Sequence, residues 1–494
     1  MVPHLIKLTK LMPLVLEHVK VWRSMDGAPF MECMLKGVPH TVPLDSGFFA
    51  GHIHSLVQEK DPGAFYTQKT LQEVKDYLRG SAFSPGTPMH ETKVRVGEAM
   101  GKLYLDPAWE GRELVEFDGG AWKVVQRNDG HPKFVVNKST MPMVRPDMTA
   151  PVGKLVDMLK PYIHTGEKDL LLMVGWIIGC YKNGGPYPIL MLTGEQGSAK
   201  STITRLLRKL VDPHALDIRE PTTDDRDFAA AVRGTYILAY DNLSYISPKL
   251  SDSLCRIATG VPLASRTLYT NYEETSFQAM RPIILNGIPD VAEREDFISR
   301  VISIQLPTIP PERRRDDDSF WADFHKDLPR MIRCVWDMVA KAQRDYGSTV
   351  VGQKTRMTAF LQWAMAAMDE KEAAEFNEYY VKMSGEANQQ LVEHDLVVQG
   401  IIAMMQERKR FEGSVYDLLN ALLVHLPQGF DPTLVPKKPR GLAERIKRAA
   451  PALREIGIET RRGARQSGTG RRCIIFEWTK EAKDRNYAVS VTNG

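Results

Sequence analysis

The chain has no C-x-x-C pair. Its five cysteines, Cys33, Cys180, Cys255, Cys334 and Cys473, are scattered, and none has a histidine partner at metal-ligand spacing. This argues against a structural zinc site and a disulfide framework, and predicts reduced, mostly buried thiols. Long apolar runs are missing too. The longest, Leu170 to Cys180, is broken by Gly175 and Gly179 and is too short to span a bilayer, so it reads as a buried helix. The apolar patch Leu11 to Leu16 holds Pro13, leads into Glu17 and lacks a small-residue cleavage site, which argues against secretion. A cytoplasmic protein with no membrane partner is expected. Charge of one sign is also scarce: the net is +4, so any polyanionic partner must be sought in the distribution of charge. No internal repeat or long low-complexity segment occurs.

What is present is an ordinary globular composition, 43% apolar and 26% charged, over 494 residues, a length that implies more than one core. The expected division is an α+β accessory part over 1–150, an α/β core over 151–318, a helical lid or linker over 319–392 and a basic part over 393–494. In the first part a helical stretch, Leu71 to Leu78, is followed by alternation over Glu113 to Val125, where Asp118-Gly119-Gly120 supplies a hairpin turn. From about Leu155 to Leu306 strand-like runs alternate with helical patterns, the sequence appearance of a sheet covered by helices. A Pro-rich, charged stretch, Pro307 to Asp318, separates this from residues that read as helical as far as about Asn388.

The strongest local pattern begins where the apolar run Pro188 to Thr193 meets Gly194, Glu195, Gln196, Gly197, Ser198, Ala199, Lys200, Ser201 and Thr202, followed by the helical Ile203 to Leu210. Strand, glycine loop and helix in that order bring backbone N–H groups together on phosphate oxygens. Gly194 and Gly197 allow close approach, Lys200 supplies charge to the β and γ phosphates, and the Ser201 hydroxyl helps hold Mg²⁺. Ala199 departs from the usual pattern by standing where a second glycine normally precedes the lysine. ATP and Mg²⁺ are therefore the expected cofactors.

A second strand, Tyr236 to Tyr240, ends in Asp241-Asn242, where a carboxylate is needed for the Mg²⁺ shell; Asp241 takes that role, and Asn242 can only orient water by hydrogen bonding. A third, Pro282 to Leu285, ends in Asn286, suited to sensing the γ-phosphate. Arg300, with Arg294 in reserve, is the candidate for a cation supplied across a subunit interface, from which a ring of copies follows.

Taken together, GEQGSAKST, LAYDNLS, LCRIATG, RTLYT, RPIILNGI and DFISR make the stretch from about 165 to 310 resemble AAA+ ATPases, specifically superfamily 3 and MCM-like replicative helicases of phages, plasmids and integrated elements. The resemblance implies a homo-oligomeric, hexameric ring acting on single-stranded or forked DNA. It also implies a β-hairpin before the sensor strand that reaches DNA in the ring channel. Ala264 to Ala279 occupies that place, with Asn271 and Tyr272 near the tip; Glu273 and Glu274 stand where a lysine is expected, and acids repel phosphate, which leaves two readings open, DNA contact through Arg266 and Tyr269 or a purely structural hairpin. Helicases of this kind are often fused to a primase. No paired-carboxylate primase signature occurs in residues 1–150, so priming would need a separate chain.

From Glu393 the pattern is helix (Leu396 to Met405), a Ser414 N-cap with Asp417 three residues on, a second helix (Val415 to Leu426), a third (Leu442 to Ile456), then a strand, a glycine-rich turn and the strand Cys473 to Trp478. Three helices followed by a hairpin is the winged-helix order. Arg445, Lys447, Arg448 and Arg454 on the third helix, with Arg461, Arg462, Arg465, Arg471 and Arg472 around the turn, form an electrostatic footprint for a phosphate backbone. The function expected from the sequence is thus an ATPase that translocates on or unwinds DNA in replication. Two alternatives stay open: an initiator or loader that uses ATP as an assembly switch without unwinding, and a P-loop small-molecule kinase.

Overall fold

The structure is a computed structural model that describes residues 3–479 except 136, 150–152, 223, 267–273, 278, 288–294, 427–435, 437 and 467–469. It is a mixed α/β architecture, and its contacts divide the chain into one unit of Met1–Val291 with Arg300–Tyr380 and another of Ala292–Ser299 with Val381–Gly494. All five cysteines are buried and unpaired. Among the described residues no helix is long and apolar enough to cross a membrane.

In the first unit, strand Ile189–Thr193 is buried at every position, as a strand covered on both faces must be. It belongs to a four-stranded, all-parallel sheet in the order Leu238–Leu243, Ile283–Gly287, Ile189–Thr193, Val301–Gln305. The strand bearing Asn286 therefore lies between the strand bearing Asp241 and the one that enters the glycine loop. Beside the sheet, helix Glu167–Gly179 is buried from Leu170 to Gly179. The two glycines that interrupt this apolar run have a packing reason: a Cβ would stand 2.2 Å from the Phe376 ring at Gly175 and 2.2 Å from the Phe360 ring at Gly179. Helix Asp317–Asp345 carries Pro329 within it, and helices Thr358–Ala367 and Glu370–His394 continue the helical part.

The first 150 residues contribute two sheets. One, in the order Val38–Pro43, Pro29–Leu35, Val19–Ser24, Met89–His90, packs with helices Leu8–His18, Phe48–Lys60 and Gln68–Ala82 around a common apolar core. The other contains the expected hairpin: Leu114–Asp118 pairs with Ala121–Val125, and Gly119 and Gly120 both have positive φ, 58° and 87°, the turn geometry that matches the twist of paired strands.

A buried ion cluster joins this part to the parallel-sheet core. Asp212, just after helix Lys200–Val211, accepts from Arg95 Nε at 2.8 Å, from Arg208 at 3.0 Å and from the Ile237 backbone N–H at 3.0 Å. Burial alone would raise its pKa, but Arg95 and Arg208 outweigh that and hold it below the usual carboxylate range.

In the second unit, helices Leu396–Glu407, Val415–His425 and Pro439–Glu455 enclose an apolar core with a three-stranded sheet. Ser414 and Asp417 form the expected reciprocal cap. The sheet runs Arg410–Ser414, Arg472–Trp478, Ile458–Arg465. The first of these strands is an addition to the sequence expectation of two.

Candidate functional site

The loop leaves Thr193 under strong backbone constraint. Gly194 has φ of 148°, and a Cβ there would meet the Leu306 carbonyl at 2.5 Å and Ser198 Oγ at 2.7 Å. Because the nearest atom is backbone, no side-chain adjustment relieves the clash. Ala199 caps helix Lys200–Val211 with φ of 60°, in the left-handed region, which explains why glycine is the usual residue at this position: a Cβ costs about 1–2 kcal/mol there. The first bond of the helix joins the Ile203 N–H to the Ala199 carbonyl, so the N–H groups of Lys200, Ser201 and Thr202 lie ahead of the hydrogen-bonded ladder.

Lys200, Ser201, Asp241 and Asn286 lie at the carboxyl ends of the strands or on the helix that follows one of them, and Ser201 and Asp241 are in direct contact. Lys200 Nζ donates to the Gly194 carbonyl at 2.6 Å and the Glu195 carbonyl at 3.0 Å, curling back over its own loop. Ser201 Oγ donates to Asp241 Oδ2 at 2.6 Å. The register of strand Leu238–Leu243 shifts between Tyr240 and Leu243, an irregularity that turns Asp241 and Asn242 out of the ladder. Asn286 is fully buried in register with Leu192; its Oδ1 accepts from Thr204 Oγ1 at 2.8 Å, and its Nδ2 has no acceptor among the described residues. An enclosed donor without a protein partner is available to a bound group. Asn242 is exposed, with φ of 60°, and its N–H donates to Asp241 Oδ1 at 2.8 Å.

Arg300 is not brought to this edge. Its carbonyl accepts from the Ile189 N–H at 2.9 Å, so it stands beside the first residue of the loop strand, whereas the loop follows the last; at ~3.3 Å per residue the strand holds them roughly 13 Å apart. Arg294 and Tyr269 lie outside the described residues. The expected hairpin is present as Leu263–Arg266 paired with Glu274–Phe277, with Arg266 in register opposite Glu274, and its tip, including Asn271, Tyr272 and Glu273, lies outside the described residues.

Arg314 was not anticipated. A Cβ on Gly197 would lie 3.4 Å from an Arg314 terminal nitrogen, so this guanidinium rests against the loop. It is held there by its Nε, which donates to the Ile309 carbonyl at 3.1 Å, while the Ile309 N–H donates to the Gly197 carbonyl at 3.2 Å. In the sequence Arg314 sits in a charged stretch with no periodicity, and only the return of the chain after Leu306 makes it a neighbour.

The basic residues of the second unit fall into two groups. Arg445 is spent on Asp395 at 2.8 Å, Arg461 pairs with Glu459 at 2.8 Å, and Arg471 lies 4.1 Å from the centre of the Tyr416 ring. Arg462, Arg465 and Arg472 are exposed without an ion-pair partner among the described residues, and Arg465 and Arg472 are direct cross-strand partners. Like charges directly opposite destabilise a hairpin unless an anion neutralises them. Lys447 is exposed; the side chain of Arg448 lies outside the described residues.

Comparison with known proteins places these sites in context. Residues 156–381 match the family model of the actinomycete integrative conjugative element replication protein, and residues 397–488 match that of its C-terminal domain. No curated protein matches the chain. Among solved structures, an A-form apo structure of the NrS-1 C-terminal region aligns with TM-score 0.39 at 12% identity, and a second apo structure of that region with TM-score 0.39 at 11%; each alignment covers 95% of this chain and 99% of the other.

Proposed function

We propose that this chain, a replication protein of a mobile genetic element by the two family models its segments match, binds Mg-ATP at Gly194 to Thr202 and spends its hydrolysis on moving DNA. The observation that carries the reading is the convergence of Lys200, Ser201, Asp241 and Asn286 at one sheet edge, supplied by the ends of three parallel strands. The residues fit a bound nucleotide triphosphate in four respects. Gly194 leaves no room for a Cβ, the first N–H groups of helix Lys200–Val211 lie free of the ladder, Ser201 and Asp241 present two oxygens to one point, and Asn286 Nδ2 lacks an acceptor. Mg²⁺, when bound, neutralises charge that develops on the transferring phosphate. Lys200 exchanges its loop carbonyls for phosphate oxygens, Ser201 turns its hydroxyl lone pairs outward, and Asn286 reports the loss of the terminal phosphate. Arg314 adds a cation to the same loop.

In this reading Arg300, at the far end of the strand from its own loop, serves the loop of a neighbouring copy in a homo-oligomeric ring. An AAA+ core with a C-terminal winged helix accommodates both the parallel sheet and the three-helix unit, and Arg462, Arg465 and Arg472 take DNA phosphate. One observation favours a second reading. Asn242 is an amide that cannot accept the proton of an attacking water, which suits an ATP-switched initiator or loader that does not unwind.

The test is an ATPase assay beside a strand-displacement assay on forked DNA. Turnover with displacement supports the motor, binding with neither supports the switch, and DNA-stimulated hydrolysis retained in Lys200→Ala would overturn the assignment of the loop.

A further inference from the structure

The first 150 residues contain a second cationic site that is not connected with the glycine loop. A pocket of about 40 Å³ opens between strand Val38–Pro43 and helix Phe48–Lys60, and its polar lining is His40, Thr41, His52, Arg112 and Arg127. The remaining wall is largely apolar, with Pro39, Val42, Pro43 and Phe48.

The charges in this pocket do not balance. Arg127 is buried and paired with the buried Asp106 at 2.7 Å. Arg112, held in a turn with φ of 54°, has a guanidinium with no hydrogen-bond or ion-pair partner among the described residues. One carboxylate therefore faces two guanidiniums. At the rim, Lys138 Nζ lies 5.9 Å from the centre of the Phe48 ring and adds further positive charge.

Hydrogen bonds fix the tautomer of both histidines. His52 Nδ1 donates to the Phe48 carbonyl at 2.8 Å, so in the neutral ring its Nε2 is an acceptor and takes the Nδ1 proton of His40 at 3.2 Å. That leaves His40 Nε2 as a bare lone pair, with no partner among the described residues. Burial, then Arg112, His52 and Arg127, lowers the His40 pKa to about 4, and burial and Arg112 lower that of His52. Burial, with the arginines adding to it, thus favours the neutral form of both rings. An anion in the pocket would offset the arginines, and a proton taken up on His40 Nε2 would make it a donor.

We propose that this pocket binds a terminal phosphate monoester, gripped by the unpaired guanidinium of Arg112 with His40 as second donor. A planar guanidinium fork suits a tetrahedral oxyanion, and a dianion matches one free arginine plus one newly protonated histidine. An enclosed pocket admits the end of a ligand, whereas a backbone running past needs an open groove. A free nucleotide and the phosphorylated end of a DNA strand share this chemistry.

The experiment uses the full chain carrying Lys200→Ala, so that the glycine loop does not contribute, with calorimetric titration of inorganic phosphate, AMP, and a short single-stranded oligonucleotide with and without a 5′-phosphate. Phosphate should bind, and Arg112→Gln should weaken it at least tenfold. Arg112→Lys, which keeps the charge and loses the fork, should give an intermediate loss and guards against a folding defect in the first variant. AMP binding alone would assign the nucleotide as source; a preference for the 5′-phosphorylated strand over its unphosphorylated twin would assign the DNA end. Absence of phosphate binding, or binding that both Arg112 variants leave unchanged, would overturn the proposal. Neither result would bear on the glycine loop, which is tested separately in the Lys200-containing chain.

Discussion

Lys200 and Arg472 are both cations suited to phosphate, yet the chain holds them in opposite ways. Lys200 Nζ is already hydrogen-bonded to two loop carbonyls, on a loop whose backbone tolerates no Cβ at Gly194. Arg472 is exposed, lies opposite another arginine across the hairpin, and is held by no acid among the described residues. The first arrangement fixes geometry and so can choose one ligand. The second supplies only field, which attracts any polyanion and is screened by salt. A replication protein has use for both, a shaped grip for a nucleotide and an unshaped one for DNA of any sequence.

The sharpest way to break this contrast is at the loop. Lys200→Ala should lower ATP turnover by roughly 10²- to 10³-fold or more, the loss expected when one preorganised electrostatic donor is removed, while salt-dependent DNA binding persists. Steady-state ATPase rates and DNA anisotropy on the same preparation check both halves. Next in size, Gly194→Ala should cost on the order of 1–3 kcal/mol of stability through its backbone conformation and its contact with Leu306, and should abolish nucleotide-induced thermal stabilisation. A smaller and different effect is expected on the other side. The triple variant Arg462→Ala, Arg465→Ala, Arg472→Ala should leave DNA-independent ATP hydrolysis intact and flatten the slope of log affinity against log salt by up to about 3, at ~0.9 per phosphate contact on duplex DNA. The smallest effect should come from Ala199→Gly. Relief of the left-handed Cβ is largely offset by glycine's entropy, for a net gain below about 1 kcal/mol, read as a small rise in melting temperature with unchanged turnover.

The loop was legible because its signal is local: an apolar run, a glycine turn and a helical period follow one another within about twenty residues. The Ser414 cap and the Gly119-Gly120 hairpin were legible for the same reason. Features that depend on distant partners were not. Strand Arg410–Ser414 has Phe411 as its one large apolar residue and is a strand through its pairing with Arg472–Trp478. Arg314 reaches the loop only because the chain folds back after Leu306. Arg95 also depends on a distant partner: its buried bond to Asp212 ties the first part of the chain to the helix of the glycine loop. Removing one partner of such a buried pair typically costs about 3–5 kcal/mol. The match to a mobile-element replication family supports the replication role read from the motifs.

Equilibrium binding of labelled ATP, with and without Mg²⁺, to the wild-type chain and to Lys200→Ala tests the central claim most directly. Saturable, Mg²⁺-strengthened binding that falls at least about a hundredfold in the variant is the predicted result. Absence of binding in the wild-type chain, or equal binding by both, would contradict it.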